Sequence, residues 1–520
     1  LTTQAQPNNN NAGRWVLLTT ILASSMAFID SSALNVALDA MQKDLKASGA
    51  DLIWIVNIYT LLLASLILLG GSLGDHFGRN RIFRIGIILF AAASFVCGIS
   101  PTVGILIAAR AVQGLGGALM VPGSLAIISA SFPEAQRGRA IGTWSSFGTI
   151  TTILAPALGG FLANAGLWRG VFFINIPLAV FAVLALTRVP ETKDDDTPRE
   201  LDYAGTALIV VGLSGLTYGA IGLGQANESG TFDPTPLIAL AVGVVALVGF
   251  VLVEARSKHP LVPLALFKQR TFSGTNLMTV FFYGALSGAL FFFPLNLIQI
   301  QGYPPNVAGL TLLPLSLALA VLSPIMGGLV MRIGPRVLLT VGPVIVGLAF
   351  IWLGSVGLTA GPDAYWTTFF PGIVLLGVGL GITVAPLTTA VMGAVPSHEA
   401  GVASGVNNAV ARSAQGLAVA ALGGLALVSF SNGLAGQLAN RNIAPDVRQQ
   451  VQGTASKLGN TEIPKDLDEA TSASIRQSIQ GAFVEMFRLV FYIGAGLSFI
   501  SAICSAILIE NKRTATSKPT

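Results

Sequence analysis

One carboxylate, Asp30, stands inside the apolar run 15–38 (WVLLTTILASSMAFIDSSALNVAL), a stretch long enough to cross a bilayer. A charge at that depth costs at least ~2.5–3.5 kcal/mol, so its presence points to use: a carboxylate that takes up and gives up a proton. No other acid lies so deep in an apolar run. Arg110 occupies a second run, 102–131, at matching depth. Each lies about 7–8 residues from the same-side end of its run, roughly 10–12 Å below that surface at 1.5 Å per residue. The two can therefore pair. A guanidinium close by favours the ionised carboxylate and burial favours the protonated one; a group held between those pulls can load a proton on one side and release it on the other. A static buried ion pair bracing two helices is the alternative.

Other polar residues fall in apolar runs as well. Gln113, one turn from Arg110, is placed to support it or to touch a substrate. Asn35, Asn57 and Asn175 suit either interhelical hydrogen bonding or ligand contact. In the second half of the chain Arg412 is the best polar candidate, with Asn407, Asn408 and Gln415 nearby; a snorkelling or bracing arginine is the plainer reading. The candidate substrate pathway is thus Asn35, Asn57, Gln113, Asn407 and Arg412. Aromatic runs at 281–283 and 291–293 would line an adaptable pocket or pack against neighbours and lipid.

These residues must be positioned by helices in a membrane. Of 520 residues, 53% are hydrophobic and only 10% charged, with a mean hydropathy of +0.73, which excludes a soluble domain of this length. Fourteen apolar segments of spanning length follow one another, at about 15–38, 52–73, 82–100, 102–131, 139–162, 171–188, 204–223, 236–254, 273–298, 306–331, 337–359, 365–392, 403–430 and 485–509. The net charge of +5 sits in short connections rather than on one face, so it reports topology and not nucleic acid. Cys97 and Cys504 lie in apolar runs, and no disulfide framework or metal-ligand cluster is spaced in the sequence.

Arginine and lysine fix the orientation. With the N-terminus inside, the inner connections carry Arg14, Arg79, Arg81, Arg84, Arg137, Arg139, Arg188, Arg256, Arg332 and Arg336, whereas the short outer loops carry only Lys43, Lys46 and Arg169. Both termini are therefore predicted on the cytoplasmic side of a cell membrane. The N-terminal tail is polar and Asn-rich, without a basic n-region or cleavage site, and is expected to lack fixed structure. The spans divide 6 + 2 + 6: a tail 1–14, a bundle 15–190, a linker 191–260 carrying two extra spans, a second bundle 261–509 that includes an outer loop 431–483, and a tail 510–520. That loop is polar and, over 466–483, amphipathic enough for a short outer helix. Segments 71–81 (GSLGDHFGRNR) and 327–336 (GGLVMRIGPR) close the second span of each bundle, a weak internal repeat that places a substrate site between the halves near the midplane.

In 71–81, Gly71 and Gly74 permit close helix approach, Asp75 reaches the inner surface, and Gly78 allows a tight turn before Arg79 and Arg81. A charge lock accepting on Asp75 would then exist in the first half only, since Met331 stands at the matching place in the second; a plain positive-inside loop is the alternative. Pro156 with Gly148, Gly159 and Gly160 would kink and closely pack the fifth span at the outer gate, or serve small-residue packing alone.

Segment 71–81 resembles the loop motif of the major facilitator superfamily, G-x-L-a-D-r-x-G-r-k-x, and 110–118 (RAVQGLGGA) resembles its fourth-helix motif. Segment 148–160 (GTITTILAPALGG) is similar to the fifth-helix antiporter motif, with Ala155 in place of the glycine before Pro156. Segment 30–38 (DSSALNVAL) is similar to the first-helix signature of the fourteen-span drug:proton antiporter branch, with Asp39 where that branch has proline; 168–177 and 401–416 also match it. The resemblance implies an all-α major facilitator fold of two six-helix bundles plus two inserted helices. It also implies a multidrug-efflux antiporter that exchanges cytosolic lipophilic compounds, cations among them, for protons by alternating access. Such a protein needs no cofactor beyond a proton gradient, and a monomer in the bilayer suffices. An exporter of one metabolite or lipid is the nearest alternative. A membrane enzyme or receptor would call for clustered catalytic groups, yet the histidines, His76, His259 and His398, fall in separate short connections. Asp194–Asp196 read as a solvated loop rather than a metal site. With no acid in the second-half spans, Asp30, Arg110 and Arg412 suit monocations, neutral compounds or anions better than dications.

Overall fold

A computed structural model of the chain describes residues 10–132, 134–191, 202–225, 233–257, 260–395, 400–441 and 443–510. The described residues form helices joined by short connections, with no strand among them. The principal helices are α1 Asn10–Leu45, α2 Gly49–Phe77, α3 Arg79–Ile99, α4 Val103–Ser131, α5 Glu134–Asn164, α6 Gly170–Leu186, α7 Tyr203–Gln225 and α8 Thr235–Glu254. They continue as α9 Arg270–Leu295, α10 Leu313–Ile333, α11 Pro335–Ser355, α12 Phe369–Gly393, α13 Ala400–Ala439 and α14 Glu469–Leu508. Twelve apolar helical stretches are long enough to span a membrane, and two shorter ones, Ile150–Asn164 and Gly170–Leu186, bring the total to the fourteen expected. Of the expected polar segments, the start of the N-terminal tail, most of 191–202 with Asp194–Asp196, His259, His398 and the C-terminal tail lie outside the described residues.

Helices α1–α6 pack on one another and α9–α14 do likewise, while the antiparallel pair α7–α8 lies beside the seam where α2 meets α13. Local rules set the ends. Ser48 and Asp51 form a reciprocal capping box at the start of α2, with Ser48 N donating to Asp51 Oδ2 at 2.8 Å and Asp51 N to Ser48 Oγ at 3.1 Å. Gly78 (φ 103°) and Gly334 (φ 91°) each turn the chain from one helix directly into the next, a backbone region that favours glycine. The two repeat segments thus share a turn as well as a spacing.

Both ends of the described chain lie on one face of the bundle. The start of α1 meets the end of α6, where Arg188 Cζ sits 4.4 Å from the Trp15 ring centroid. The end of α14 meets the start of α9, where Arg270 Nη2 donates to Ile507 O at 2.8 Å. Leu68, near the end of α2, approaches Gly405, near the start of α13, so the two halves share that face. It is called the termini face here, and the opposite one the far face.

Helix lengths differ from the apolar runs. Helix α1 continues to Leu45, well beyond the run ending at 38, so Asp30 is farther from its helix end than hydropathy suggests. Likewise α13 extends to Ala439 and α14 starts at Glu469, so the amphipathic stretch within 466–483 is the first part of α14 rather than a separate outer helix. The connection between them holds the short helix Pro445–Gln452 and a 3-10 turn, Ala455–Asn460. His76 is in the last turn of α2, not in a connection. Main-chain hydrogen bonding carries a helix past the bilayer boundary where side-chain hydropathy falls, because helices need no lipid to continue.

Candidate functional site

Asp30 on α1 and Arg110 on α4 form an ion pair with almost no exposed surface, 0% and 1% respectively. Arg110 Nη1 donates to Asp30 Oδ2 and, at 2.8 Å, to Gln113 Oε1. Gln113 Nε2 donates to Asp30 Oδ1 at 2.8 Å and to Ser94 Oγ on α3 at 2.9 Å. Both carboxylate oxygens therefore accept, an arrangement suited to the ionised form. Arg110 Nε is spent on Ile55 O of α2 at 3.0 Å, and its guanidinium carbon lies 4.4 Å from the centroid of the Tyr59 ring.

Close helix approach makes this possible. A Cβ on Gly114 would lie 2.7 Å from Tyr59 O, and one on Gly116 would lie 2.6 Å from Phe90 N, so α4 can sit against α2 and α3 at this depth only without side chains there. The Asn175 amide of α6 extends the cluster, its Nδ2 donating to Ser94 Oγ at 3.3 Å. Ser94 and Tyr59 carry part of this site although nothing in their sequence context separates them from ordinary packing residues.

The remaining pathway candidates part company. Asn57 is fully buried; with its amide oriented to satisfy both ends it donates to Gly416 O at 2.9 Å and accepts from Ala420 N at 3.2 Å, joining α2 to α13 across the two halves. Asn407 Nδ2 donates to Asn276 Oδ1 at 3.1 Å and Thr279 Oγ1 at 2.9 Å, both on α9. Asn35 is half-buried on α1. Arg412 is half-buried on α13, one turn before Gly416, which packs on Asn57 and Thr60 of α2. The run 291–293 is core: Phe291, Phe292 and Phe293 are buried.

Toward the far face the halves meet without space for side chains. A Cβ on Gly160 would lie 2.3 Å from Pro305 O of the short helix Pro305–Leu310, and one on Gly309 would lie 2.3 Å from Pro156 O. A Cβ on Gly159 would instead lie 2.3 Å from Ala33 O of α1, and one on Gly148 would lie 2.9 Å from the Phe28 ring, both within the first half. A polar network unforeseen in the sequence adjoins this contact. Gln42, buried at the end of α1, donates through Nε2 to Lys457 O at 3.0 Å and accepts at Oε1 from Gln299 and Asn460, each at 2.8 Å. Asn460 Nδ2 also donates to Asp39 Oδ1 at 2.9 Å, and Asp39 pairs with Lys43 at 2.8 Å. Asp39, which stands where the resembling branch has proline, is part of the contact between halves.

At the termini face a Cβ on Gly71 would lie 3.7 Å from Pro122 Cβ, and Arg79 opens α3 immediately after the Gly78 turn. Asp75 is helical, but its side chain, like that of Met331, lies outside the described residues. The acid found at this turn is Glu191, whose Oε1 accepts from Asn80 N at 2.8 Å, an anion at the N-terminus of α3. Asn80 Nδ2 ties the same segment down through Val189 O at 2.9 Å and Pro190 O at 2.8 Å.

Comparison with known proteins shows the family of the fold. The family model described as Major Facilitator Superfamily matches residues 20–419, from within α1 to midway along α13. The chain belongs to the major facilitator superfamily. It is 35% identical to Multidrug resistance protein Stp of Mycobacterium tuberculosis over 76% of this chain and 72% of that one. It is 31% identical to the Tetracenomycin C resistance and export protein of Streptomyces glaucescens over 94% and 90%. In fold it is similar to a bacterial homolog of the human lysosomal transporter Spinster, solved in an inward-facing, unoccupied conformation. That match has a TM-score of 0.64 and 18% identity, covering 96% of this chain and 98% of the other. This member of the superfamily is a multi-pass membrane transporter.

Proposed function

We propose that this protein is a secondary active exporter that exchanges lipophilic compounds from the cytosol for protons by alternating access, with Asp30 carrying the proton. The observation that carries this reading is the Asp30–Arg110–Gln113 cluster, an ionisable group enclosed in the first bundle with its charge fully matched. A charge kept at this depth against its desolvation cost is expected to work. The relatives named for resistance and export support outward transport.

The termini face is taken as cytoplasmic and the far face as external, following the distribution of arginine and lysine. In the arrangement described, the halves touch toward the external face through Gly160, Gly309 and the Gln42 network, which suits a state closed to the outside. Opening there would let a proton reach Asp30. Protonation removes the acceptor charge that holds Arg110 and leaves a net positive site beside Tyr59. Return to the inward state, as Asp30 gives its proton to the cytosol, restores the pair. Substrate and proton thereby compete for one conformational cycle, the differential affinity each needs to drive the other.

The test is proton movement from protein reconstituted in vesicles under an imposed pH gradient, on adding lipophilic cations, anions and neutral compounds in turn. Compound-dependent proton movement is expected. Uphill transport that leaves the proton gradient untouched would overturn the reading.

A further inference from the structure

The inserted pair α7–α8 carries two acids that meet at the termini face. Asp202 precedes the first turn of α7, where its Oδ1 accepts from Gly205 N at 2.6 Å and its carbonyl accepts from Thr206 N at 3.1 Å. Glu254 closes α8 and is 3% exposed; its Oε2 accepts from Val262 N at 3.0 Å. The second oxygen of each carboxyl, Asp202 Oδ2 and Glu254 Oε1, is buried and has no hydrogen-bond partner. A Cβ on Gly205 would lie 2.7 Å from Glu254 Oε1 and 2.8 Å from Asp202 Oδ2, so the two unpartnered oxygens stand over one spot.

Nothing basic balances them among the described residues. Arg256, Lys268 and Arg270, the charged side chains on the adjoining segments, are exposed, and none of them pairs with either acid. Lys258 and His259 lie outside the described residues. On α2 and α13, which pack on α7, the described charged or titratable groups toward this side are His76, in edge contact with the Phe77 ring, and Arg412, well inside α13. Two ionised carboxylates facing each other in a buried gap repel, and each unpaired oxygen keeps its desolvation cost. One proton between them turns the repulsion into an O–H donor and a charged acceptor, a hydrogen bond of the strong kind.

The pair fastens more than two helix ends. Val262 lies in the connection from α8 to the second bundle, where Leu266 is buried and Phe267 O accepts from Ser273 Oγ of α9. Helix α7 in turn packs on both α2 and α13, across the two halves. We propose that Asp202 and Glu254 bind one proton between them and form a pH-sensitive latch. With the proton in place the latch holds the inserted helices to the second bundle; as pH rises and both acids ionise, it releases the connection 260–268. This proton site is separate from Asp30 and independent of the compound carried.

The experiment is infrared spectroscopy of the purified full chain from mildly acidic to mildly alkaline pH, reading the carbonyl stretch of a protonated carboxyl and its shift in deuterated water. Wild-type protein near neutral pH should show such a band. It should titrate away as pH rises, disappear in Glu254→Gln and in Asp202→Asn, and persist in Asp30→Asn. Hydrogen exchange of the 260–268 connection, compared with Glu254→Gln at each pH so that the intrinsic pH effect cancels, tests the latch. The glutamine amide can donate to Asp202 Oδ2 and accept from Val262 N at any pH. Exchange in wild-type protein should therefore match the variant at acidic pH and exceed it at least about tenfold at alkaline pH. A wild-type spectrum without the band, or a band unchanged in Glu254→Gln, overturns the shared proton. Exchange that stays in step between the two proteins at every pH overturns the latch. Absence of the band together with protection restored by added Mg2+ or Ca2+ would put a metal ion in the gap and overturn the proposal as well.

Discussion

Arg110 and Asp30 are eighty residues apart in the chain and meet as a fully enclosed ion pair, with Gln113 holding the carboxylate's second oxygen. Four helices are tied by this one cluster, since Ser94 of α3 receives the other hydrogen of the Gln113 amide and Ile55 O of α2 accepts from Arg110 Nε. The pair therefore bears on stability, a contribution separable from the transport role proposed for it.

Arg110→Gln removes the guanidinium and leaves Asp30 buried without its counter-charge. Breaking such a pair from one side costs about 3–5 kcal/mol. Asp30→Asn combined with Arg110→Gln replaces both charges by hydrogen-bonding amides and should regain a substantial part of that loss. Thermal unfolding of the single and double variants in detergent measures it. Additive losses would mean that the two residues contribute independently, against the geometry described.

Gly159 and Gly160 are neighbours with different partners. A Cβ at either would lie 2.3 Å from a carbonyl oxygen, Ala33 in the same half for Gly159 and Pro305 in the other half for Gly160. Gly159→Ala should lower the unfolding temperature. Gly160→Ala should instead favour the arrangement with the far face open, seen as longer spin-label distances between α5 and the short helix Pro305–Leu310 at little cost in unfolding temperature. Identical behaviour of the two variants would contradict the division of roles.

Much of this was legible in the amino-acid sequence, for reasons that differ by residue. Asp30 and Arg110 stood out because ionisable groups in apolar runs are rare and expensive. Gly78 and Gly334 were visible through the repeat of their segments, and both adopt the positive φ that such a turn requires. The Gln42–Asn460 contact was hidden, since polar residues at helix ends look like ordinary solvated positions and these two are separated by 418 residues. Tyr59 was hidden for another reason. An aromatic ring in an apolar helix reads as packing, and only the fold brings the Arg110 guanidinium over its face.

Gln42→Ala removes the acceptor for Gln299 and Asn460 and the donor to Lys457 O in one step. Leaving such buried groups unpaired costs about 1–3 kcal/mol. The far-face contact should loosen by that amount, so a cysteine in place of the half-buried Ser456 should react faster with a membrane-impermeant maleimide than in the parent carrying Gln42. Unchanged labelling would show that the network does not hold the two halves together.

The most direct measurement of the central claim is substrate transport by Asp30→Asn in reconstituted vesicles, with and without a pH gradient. The amide keeps an acceptor for Arg110 and cannot exchange a proton in this range, so the account predicts loss of gradient-driven accumulation while downhill exchange of substrate persists. Accumulation driven by the proton gradient at the wild-type level in Asp30→Asn would contradict it and place the proton on another group.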